Sequence, residues 1–332
     1  MPPPSENDAV AGELLGAAEP PPEELARTDD RGDRLWNAGL AAISGGVLAV
    51  AGVIILVLTR GATPALTHIG VWQFIRSSSW DPVSGEFGAL PFIYGTLVTS
   101  GIAILVAVPV SVGLALFLGE MGPPVLRRPV SFAVETLAAI PSVVYGLWGL
   151  FVLVPLLRNP VGPFLVRTLG FLPLFKGPPI GLGFLAAGLI LAIMILPTIS
   201  SVTLDVFKTV PPPLKEGALA LGATRWEMLR MTVLPYARSG IVGAALLGLG
   251  RALGETMAVA MVIGNAPEIR ASLFAPGYTL PAVLANEFSE ATSSLYVGAL
   301  TGLGLVLFGL TVMMNGGARL LLALTGRKFR SR

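Results

Sequence analysis

Residues 239–264 read SGIVGAALLGLGRALGETMAVAMVIG, and this stretch decides the class of fold. It is long enough to cross a bilayer, which takes about 20 apolar residues, and its only charged side chains are Arg251 and Glu255. An ionised side chain at the centre of a bilayer costs about 2.5 kcal/mol or more, so it needs a partner, water or a function. Residues four apart lie on one face of an unbroken helix, and we therefore expect Arg251 and Glu255 to pair.

Five further apolar stretches of similar length contain no charge at all. They lie at 39–58, 93–118, 136–157, 180–204 and 297–318. A mean hydropathy of +0.76, with 53% hydrophobic and 13% charged residues, excludes an ordinary soluble domain. The stretches are too long, and too uniformly apolar, for the alternating strands of a membrane barrel. The sequence therefore predicts an all-α membrane protein with six transmembrane helices.

The placement of Lys and Arg predicts the orientation of these helices. If the N-terminus is cytoplasmic, fifteen basic residues fall in inner segments and six in outer ones. We therefore expect a multi-pass protein of the cell membrane, surrounded by lipid, with both termini cytoplasmic. The net charge of +2 is spread along the membrane edges and gives no reason to expect a nucleic-acid partner. The absence of cysteine excludes thiolate chemistry, and a single histidine, His68, makes a zinc site unexpected.

The two ends of the chain differ from the part between them. Residues 1–37 carry six prolines and nine acidic residues, a composition typical of disorder. We predict a disordered cytoplasmic tail over 1–37, a transmembrane domain over 38–322 and a cytoplasmic C-terminal tail over 323–332.

Three spans contain an internal proline, at Pro109, Pro141 and Pro197. Each removes a backbone hydrogen bond and is expected to bend its helix. Freed carbonyls persist in membranes only where they are buried in protein or face a watery cavity. Hydroxyl groups cluster beside the last two bends, where they either face an anion or hydrogen-bond to neighbouring helices: Ser142, Tyr145, Thr198, Ser200 and Ser201.

A long polar loop at 205–236 separates the fourth and fifth spans. Pro211 to Pro213 suit the start of a helix, and Thr224 followed three residues later by Glu227 is a capping-box pattern. We expect two short helices on the cytoplasmic side, which either fit a groove on another protein or fold back onto the membrane domain.

Within this loop, three short motifs resemble the cytoplasmic EAA signature of ABC-importer permeases. That signature runs Glu-Ala-Ala, three residues, Gly, nine residues, Ile, any residue, Leu-Pro. The spacing holds here, although Gly217 replaces the first Ala and Thr232 stands where Ile is usual. The resemblance implies that 205–236 is a coupling segment that docks on an ATPase subunit. Its residues for this role are Lys215, Glu216, Gly217, Ala218, Gly222, Leu234 and Pro235.

Two further motifs narrow the resemblance. Residues 250–258, GRALGETMA, resemble the signature of phosphate-importer permeases of the PstC and PstA type. Residues 140–149, IPSVVYGLWG, resemble the PstC member in particular. The similarity runs from about residue 91 to residue 319 and leaves the N-terminal tail outside.

This resemblance implies a type I ABC importer permease fold with an extra N-terminal helix. The chain is then half of a pore, completed by a second permease of the PstA type, two ATPase subunits and an extracytoplasmic phosphate-binding protein. No lysine follows a glycine, as a Walker A loop requires. We therefore expect a non-catalytic subunit without a cofactor, whose partner binds the ATP.

Arg251 is the residue on which the predicted mechanism depends. Phosphate is strongly hydrated, and a guanidinium offers it two parallel hydrogen bonds in place of water. Glu255 is expected to hold Arg251 and to prevent binding too tight for release. The alternative is an ion pair that only locks the span to a neighbouring helix. The predicted substrate path comprises Arg251, Glu255, Thr256, Ser142 and Tyr145.

Two other functions remain open from the residues. One is a permease for another oxyanion, molybdate or sulfate. The other is a stand-alone secondary anion transporter, in which Arg251 and Glu255 form a proton or ion relay. Such transporters often contain inverted repeats with paired broken helices, and no convincing repeat is present here.

Overall fold

The computed structural model describes the backbone of residues 30–327 and the side chains of residues 35–320. Most of the predicted N-terminal tail therefore lies outside the described residues, as do positions 328–332 of the C-terminal tail. The first helix begins at Asp30 and the last ends at Arg327, so each helix extends into a range that the sequence assigned to a tail.

Helices dominate the described chain, which also contains one short hairpin. The hairpin strands are β1 (Trp80–Asp81) and β2 (Glu86–Phe87), and they pair antiparallel with Trp80 opposite Phe87. In chain order the helices are α1 (Asp30–Ile69), α2 (Val71–Arg76), α3 (Leu90–Leu116), α4 (Pro124–Ala139), α5 (Ser142–Trp148), α6 (Val154–Leu156), α7 (Gly162–Leu169), α8 (Phe184–Lys208), α9 (Pro212–Ala220), α10 (Arg225–Met228), α11 (Leu234–Gly254), α12 (Met257–Val262), α13 (Leu280–Glu287) and α14 (Ser294–Arg327). Wider π-helical turns extend several of them, at Phe117–Met121, Gly149–Leu153, Leu157–Val161 and Leu229–Val233, and a 3₁₀ turn lies at Pro173–Phe175.

Six segments of the described chain are long and apolar enough to cross a membrane, which confirms the predicted number of spans. They are Leu35–Ile69, Leu90–Met121, Ser142–Leu169, Phe184–Lys208, Arg225–Gly254 and Ser294–Leu320. The chain divides into two compact units, Met1–Val57 and Leu58–Arg332. The first part of α1 belongs to the first unit, and every later described element belongs to the second.

Helix α8 is the centre of the second unit. In its apolar window 61% of the residues are buried, against 22% in the fifth span, and it packs along α3 and α11. Glycine permits the close approach: a Cβ at Gly248 of α11 would lie 2.6 Å from Ile199 Cδ1 of α8. Gly243, Gly250 and Gly254 have no such neighbour within 4 Å, so α11 turns one side away from the core.

The third span begins later than predicted, because Pro141 separates two helices instead of bending one. α4 ends at Ala139, Ile140 is extended at φ −69° and ψ 128°, and α5 starts at Ser142. A residue before proline is pushed out of the helical region, which explains the break. Pro109 and Pro197, in contrast, lie inside α3 and α8 as predicted.

The fifth span also differs from the prediction. α11 ends at Gly254, Glu255 is extended at φ −71° and ψ 130°, and the chain resumes as the six-residue α12. The expected unbroken helix over 239–264 is therefore wrong, and the span begins instead near Arg225.

The segment after α12 is tied to the start of α8 by backbone hydrogen bonds. Gly183 N donates to Val262 O, and Gly277 N donates to Ile263 O, both at 3.0 Å, so the last carbonyls of α12 are satisfied. Leu185 N then donates to Leu273 O at 2.9 Å. This network holds the broken fifth segment on the rigid α8.

Candidate functional site

Arg251 lies in the last turn of α11, where the carbonyl ends of the helix favour a positive charge. Its side chain is exposed on the surface of this single chain. Its Nη1 donates to Thr198 Oγ1 at 3.3 Å, next to Pro197 in α8. Arg251 therefore lies at the end of α11, level with Thr198 in the middle of the span Phe184–Lys208.

Glu255 does not pair with Arg251 in the structure. The helix ends between them, so the four-residue spacing no longer puts both side chains on one face. The half-buried Glu255 carboxylate instead accepts a hydrogen bond from Ala258 N at 3.3 Å, in the first turn of α12. An acid at the start of α12 is favoured by the dipole of that helix, as Arg251 is favoured at the end of α11 by the dipole of α11. The predicted ion pair is thus replaced by two charges held at separate helix ends.

The hydroxyls of Thr256 and Ser142 occupy the two chain breaks. Thr256 Oγ1 donates to Gly254 O at 3.2 Å and so caps the end of α11. Ser142 is the first residue of α5 and is partly exposed. Neither hydroxyl contacts Arg251 among the hydrogen bonds of the described residues.

Tyr145 has a structural use that explains its burial. Its hydroxyl donates to Leu137 O at 2.7 Å, and the residue is only 5% exposed. In a continuous helix that carbonyl would accept from the residue four places on, which is Pro141 and has no N–H. Tyr145 and Ile140 N, which donates to the same carbonyl at 3.3 Å, together replace the hydrogen bond that proline removes. The single proton of the Tyr145 hydroxyl is used in this bond, whereas the sequence placed Tyr145 in the substrate path.

The two broken segments pack on each other. A Cβ at Gly146 of α5 would lie 3.1 Å from Ala258 Cα of α12, so the helices touch through their backbones. The charge of Arg251 lies within electrostatic range of the Tyr145 hydroxyl. The structure thus brings the breaks of the third and fifth segments to one place, beside Arg251 and Thr198.

The predicted coupling segment forms two short helices, although its first residues, 205–208, still belong to α8. The capping box is present: Thr224 Oγ1 accepts from Glu227 N at 3.3 Å, and Glu227 Oε2 accepts from Thr224 N at 2.8 Å. Gly222 adopts φ +88° at the turn between the helices, which favours glycine. Glu216 and Gly217 are exposed.

A groove of about 640 Å³ lies along this segment. Leu221 and Met231, which line it, are 91% and 72% exposed. Large exposed apolar side chains in a polar segment are typical of a surface that contacts another protein or the membrane. Below it, Ala218 and Leu234 pack on a buried cluster that includes Phe207, and Pro235 lies in the first turn of α11.

Lys215 does not face the same way as Glu216. Its Nζ forms an ion pair of 2.5 Å with Glu120 Oε1, in the π-helical turn that continues α3. The two side chains are only 20% and 17% exposed. The prediction grouped Lys215 with the ATPase-facing residues, but its side chain is committed within this chain. The sequence did not predict a role for Glu120, a lone acid at the end of the second span.

Comparison with known proteins agrees with this architecture. Residues 111–321 match the family model described as "Binding-protein-dependent transport system inner membrane component". A bacterial alginate ABC transporter, solved with its alginate-bound periplasmic protein, has the same fold at a TM-score of 0.56 and 18% identity, covering 86% of this chain and 94% of that one.

Curated relatives share far more of the sequence. The "Phosphate transport system permease protein PstC" of Mesorhizobium japonicum is 51% identical over 294 residues, covering 87% of this chain and 90% of the relative. The protein of that name from Xylella fastidiosa is 51% identical over 304 residues, covering 90% and 93%. A probable PstC of Methanocaldococcus jannaschii is 38% identical over 259 residues, covering 76% and 82%. With identity of this extent over nearly the whole membrane domain, the chain belongs to the PstC permeases, within the inner membrane components of binding-protein-dependent transport systems.

Proposed function

We propose that this chain is the permease subunit of an ATP-driven phosphate importer and lines half of its path with Arg251. The observation that carries the proposal is an arginine exposed on α11, beside two chain breaks, in a chain about half identical to PstC permeases. The chain is a non-catalytic subunit of an ABC importer, which works with an ATPase and a substrate-binding protein.

The partners follow from that assignment. We place a second permease of the PstA type on the open side of α11 and one of the two ATPase subunits at the coupling segment. The other ATPase subunit docks on the second permease, and a phosphate-binding protein docks on the opposite side of the membrane. The excess of Lys and Arg in the segments on the coupling side supports cytoplasmic termini. The exposed groove beside α9 supports a docked ATPase.

Arg251 suits the passage of phosphate because its guanidinium is only partly occupied. Within the described residues, one of its five N–H donors is used, by Thr198 across a rather long 3.3 Å. The others remain for two oxygens of an oxyanion, which replace part of the hydration that the anion loses. Thr198 fixes the direction of the side chain without neutralising its charge.

The position of Glu255 contributes to the same chemistry. Glu255 caps α12 and forms no ion pair with Arg251 among the described residues. The site therefore keeps a net attraction for an anion. The negative end of the α11 dipole, which lies beside Arg251, limits that attraction and favours release.

Replacing Arg251 tests the proposal. We expect Arg251→Gln, in the complete complex in vesicles, to reduce uptake of labelled phosphate about a hundredfold, since a charged hydrogen-bonding group contributes about 3 kcal/mol. Arg167→Gln, an exposed arginine in α7, is the matched control and should transport normally. Normal uptake by a correctly inserted Arg251→Gln complex would contradict the role of Arg251. Sulfate and molybdate, added in excess, should compete weakly with phosphate.

A further inference from the structure

The ion pair between Glu120 and Lys215 differs from the other ion pairs of the described chain. Three such pairs are present, and the other two, Lys208 with Asp205 and Arg270 with Glu268, join residues two or three apart with side chains more than half exposed. Glu120 and Lys215 are separated by 95 residues and are largely buried. This pair therefore connects two elements, a spanning helix and the coupling segment.

Glu120 is held in place from several sides. It lies in the π-helical turn Phe117–Met121, which continues α3 without interruption. A Cβ at Gly119 would lie 3.2 Å from Leu204 Cδ1, so this turn packs closely on α8. Arg127 Nε donates to Gly122 O at 2.8 Å and closes the end of the turn. The carboxylate is thus a fixed point on the membrane helices.

Helix α9, in contrast, has no fully buried side chain. Its backbone hydrogen bonds are all local, and within the described residues Lys215–Glu120 is the one side-chain hydrogen bond from α9 to a spanning segment. By packing, α9 also contacts the turn Leu229–Val233 of the fifth span. Ala218, three residues after Lys215 and so on the same face, packs on the cluster around Phe207. Glu216 is exposed. α9 therefore has an inner face, with Lys215 and Ala218, and an outer face that is free for a partner.

We propose that the Glu120–Lys215 ion pair is a positioning contact that transmits the movement of α9 to α3. A largely buried ion pair resists separation, because pulling the partners apart leaves each charge without compensation. When the docked ATPase displaces α9, Lys215 pulls on the end of α3. Ser111 of the same helix donates to Leu196 O of α8 at 3.1 Å, two residues before Arg251's partner Thr198. The inference rests on the proposed function as an ATP-driven importer.

The test compares phosphate moved per ATP hydrolysed in reconstituted complexes. We expect Lys215→Met and Glu120→Gln each to lower this ratio about fivefold or more, the lower end of ordinary coupling between two sites, while the ATPase still co-purifies. The exchanged pair, Glu120→Lys with Lys215→Glu, should recover most of the loss. Arg270→Gln removes an exposed ion pair outside the coupling segment and is the matched control, with an unchanged ratio. Glu216→Lys, on the outer face, should instead release the ATPase.

The outcomes separate this proposal from the function itself. A wild-type complex without ATP-driven phosphate uptake would overturn the proposed function. An active wild type with an unchanged ratio in Lys215→Met would overturn the positioning contact alone. Loss of the ATPase from Lys215→Met would also overturn it, because Lys215 would then contact the partner. Equal loss in the single variants and the exchanged pair would do so as well.

Discussion

One break in the helix, between Arg251 and Glu255, changes the interactions that both charges make. Each is stabilised by a helix end, an effect of about 0.3–1 kcal/mol per charge, and not by the other charge. A cation that keeps its charge attracts an anion, whereas a paired cation does so only weakly. Helix α11 stops at Gly254, between the two charges. This break leaves Arg251 available to an anion instead of holding it in an ion pair with Glu255.

Replacing Tyr145 tests the role of its hydrogen bond to Leu137 O. Tyr145→Phe leaves Leu137 O without its side-chain donor, which should lower the stability of the purified complex by about 1 kcal/mol. Because that hydroxyl is not free for an anion, the KM for phosphate should stay unchanged. A thermal unfolding curve and an uptake curve measure the two quantities. A raised KM without loss of stability would restore Tyr145 to the substrate path.

At the element scale, hydropathy predicted the six spans because burial in lipid acts on a whole stretch of side chains. It did not predict where α4 and α11 end, since an apolar residue is equally apolar in a helix and in an extended break. Pro141 carried a signal for one break through its effect on Ile140. At Glu255 no proline is present, and the geometry depends on Gly183, Gly277 and other residues distant in sequence.

For the candidate site, too, local features were predictable from the sequence and contacts between distant elements were not. Arg251 was found because a charge in an apolar stretch is visible locally. Its contact with Thr198 and the pairing of Lys215 with Glu120 join distant elements, so no local pattern reveals them. The capping box at Thr224 and Glu227 was predicted correctly because both partners lie within one turn.

Two glycines of α3 test the packing of this element. A Cβ at Gly95 would overlap the carbonyl oxygen of Tyr278, whereas one at Gly101 would meet nothing within 4 Å. We expect Gly95→Ala to destabilise the protein by about 1–3 kcal/mol or more, and Gly101→Ala to be neutral or to stabilise it by about 0.5–1 kcal/mol. Thermal unfolding of the two purified variants measures the difference. Equal stability would show that the loop around Tyr278 yields easily.

At the scale of the whole molecule, two residues separated by an odd number of spans lie on opposite sides of the membrane. Three spans lie between Val83, in the hairpin turn, and Leu221, in the coupling segment, so these residues should face opposite sides of the membrane. Both are almost fully exposed, at 97% and 91%.

The absence of native cysteine makes that arrangement directly measurable. Val83→Cys should react with a membrane-impermeant maleimide from outside intact cells, and Leu221→Cys only after the membrane is opened. Labelling of both from outside would contradict the assigned topology. The unaltered chain, which has no thiol, serves as the blank.

The exposed guanidinium of Arg251 also bears on how cells make this protein. A subunit synthesised without its neighbour presents a charge to acyl chains, at a cost of about 2.5 kcal/mol or more. We therefore expect a copy inserted without the proposed second permease to be less stable in the bilayer than one within the complex.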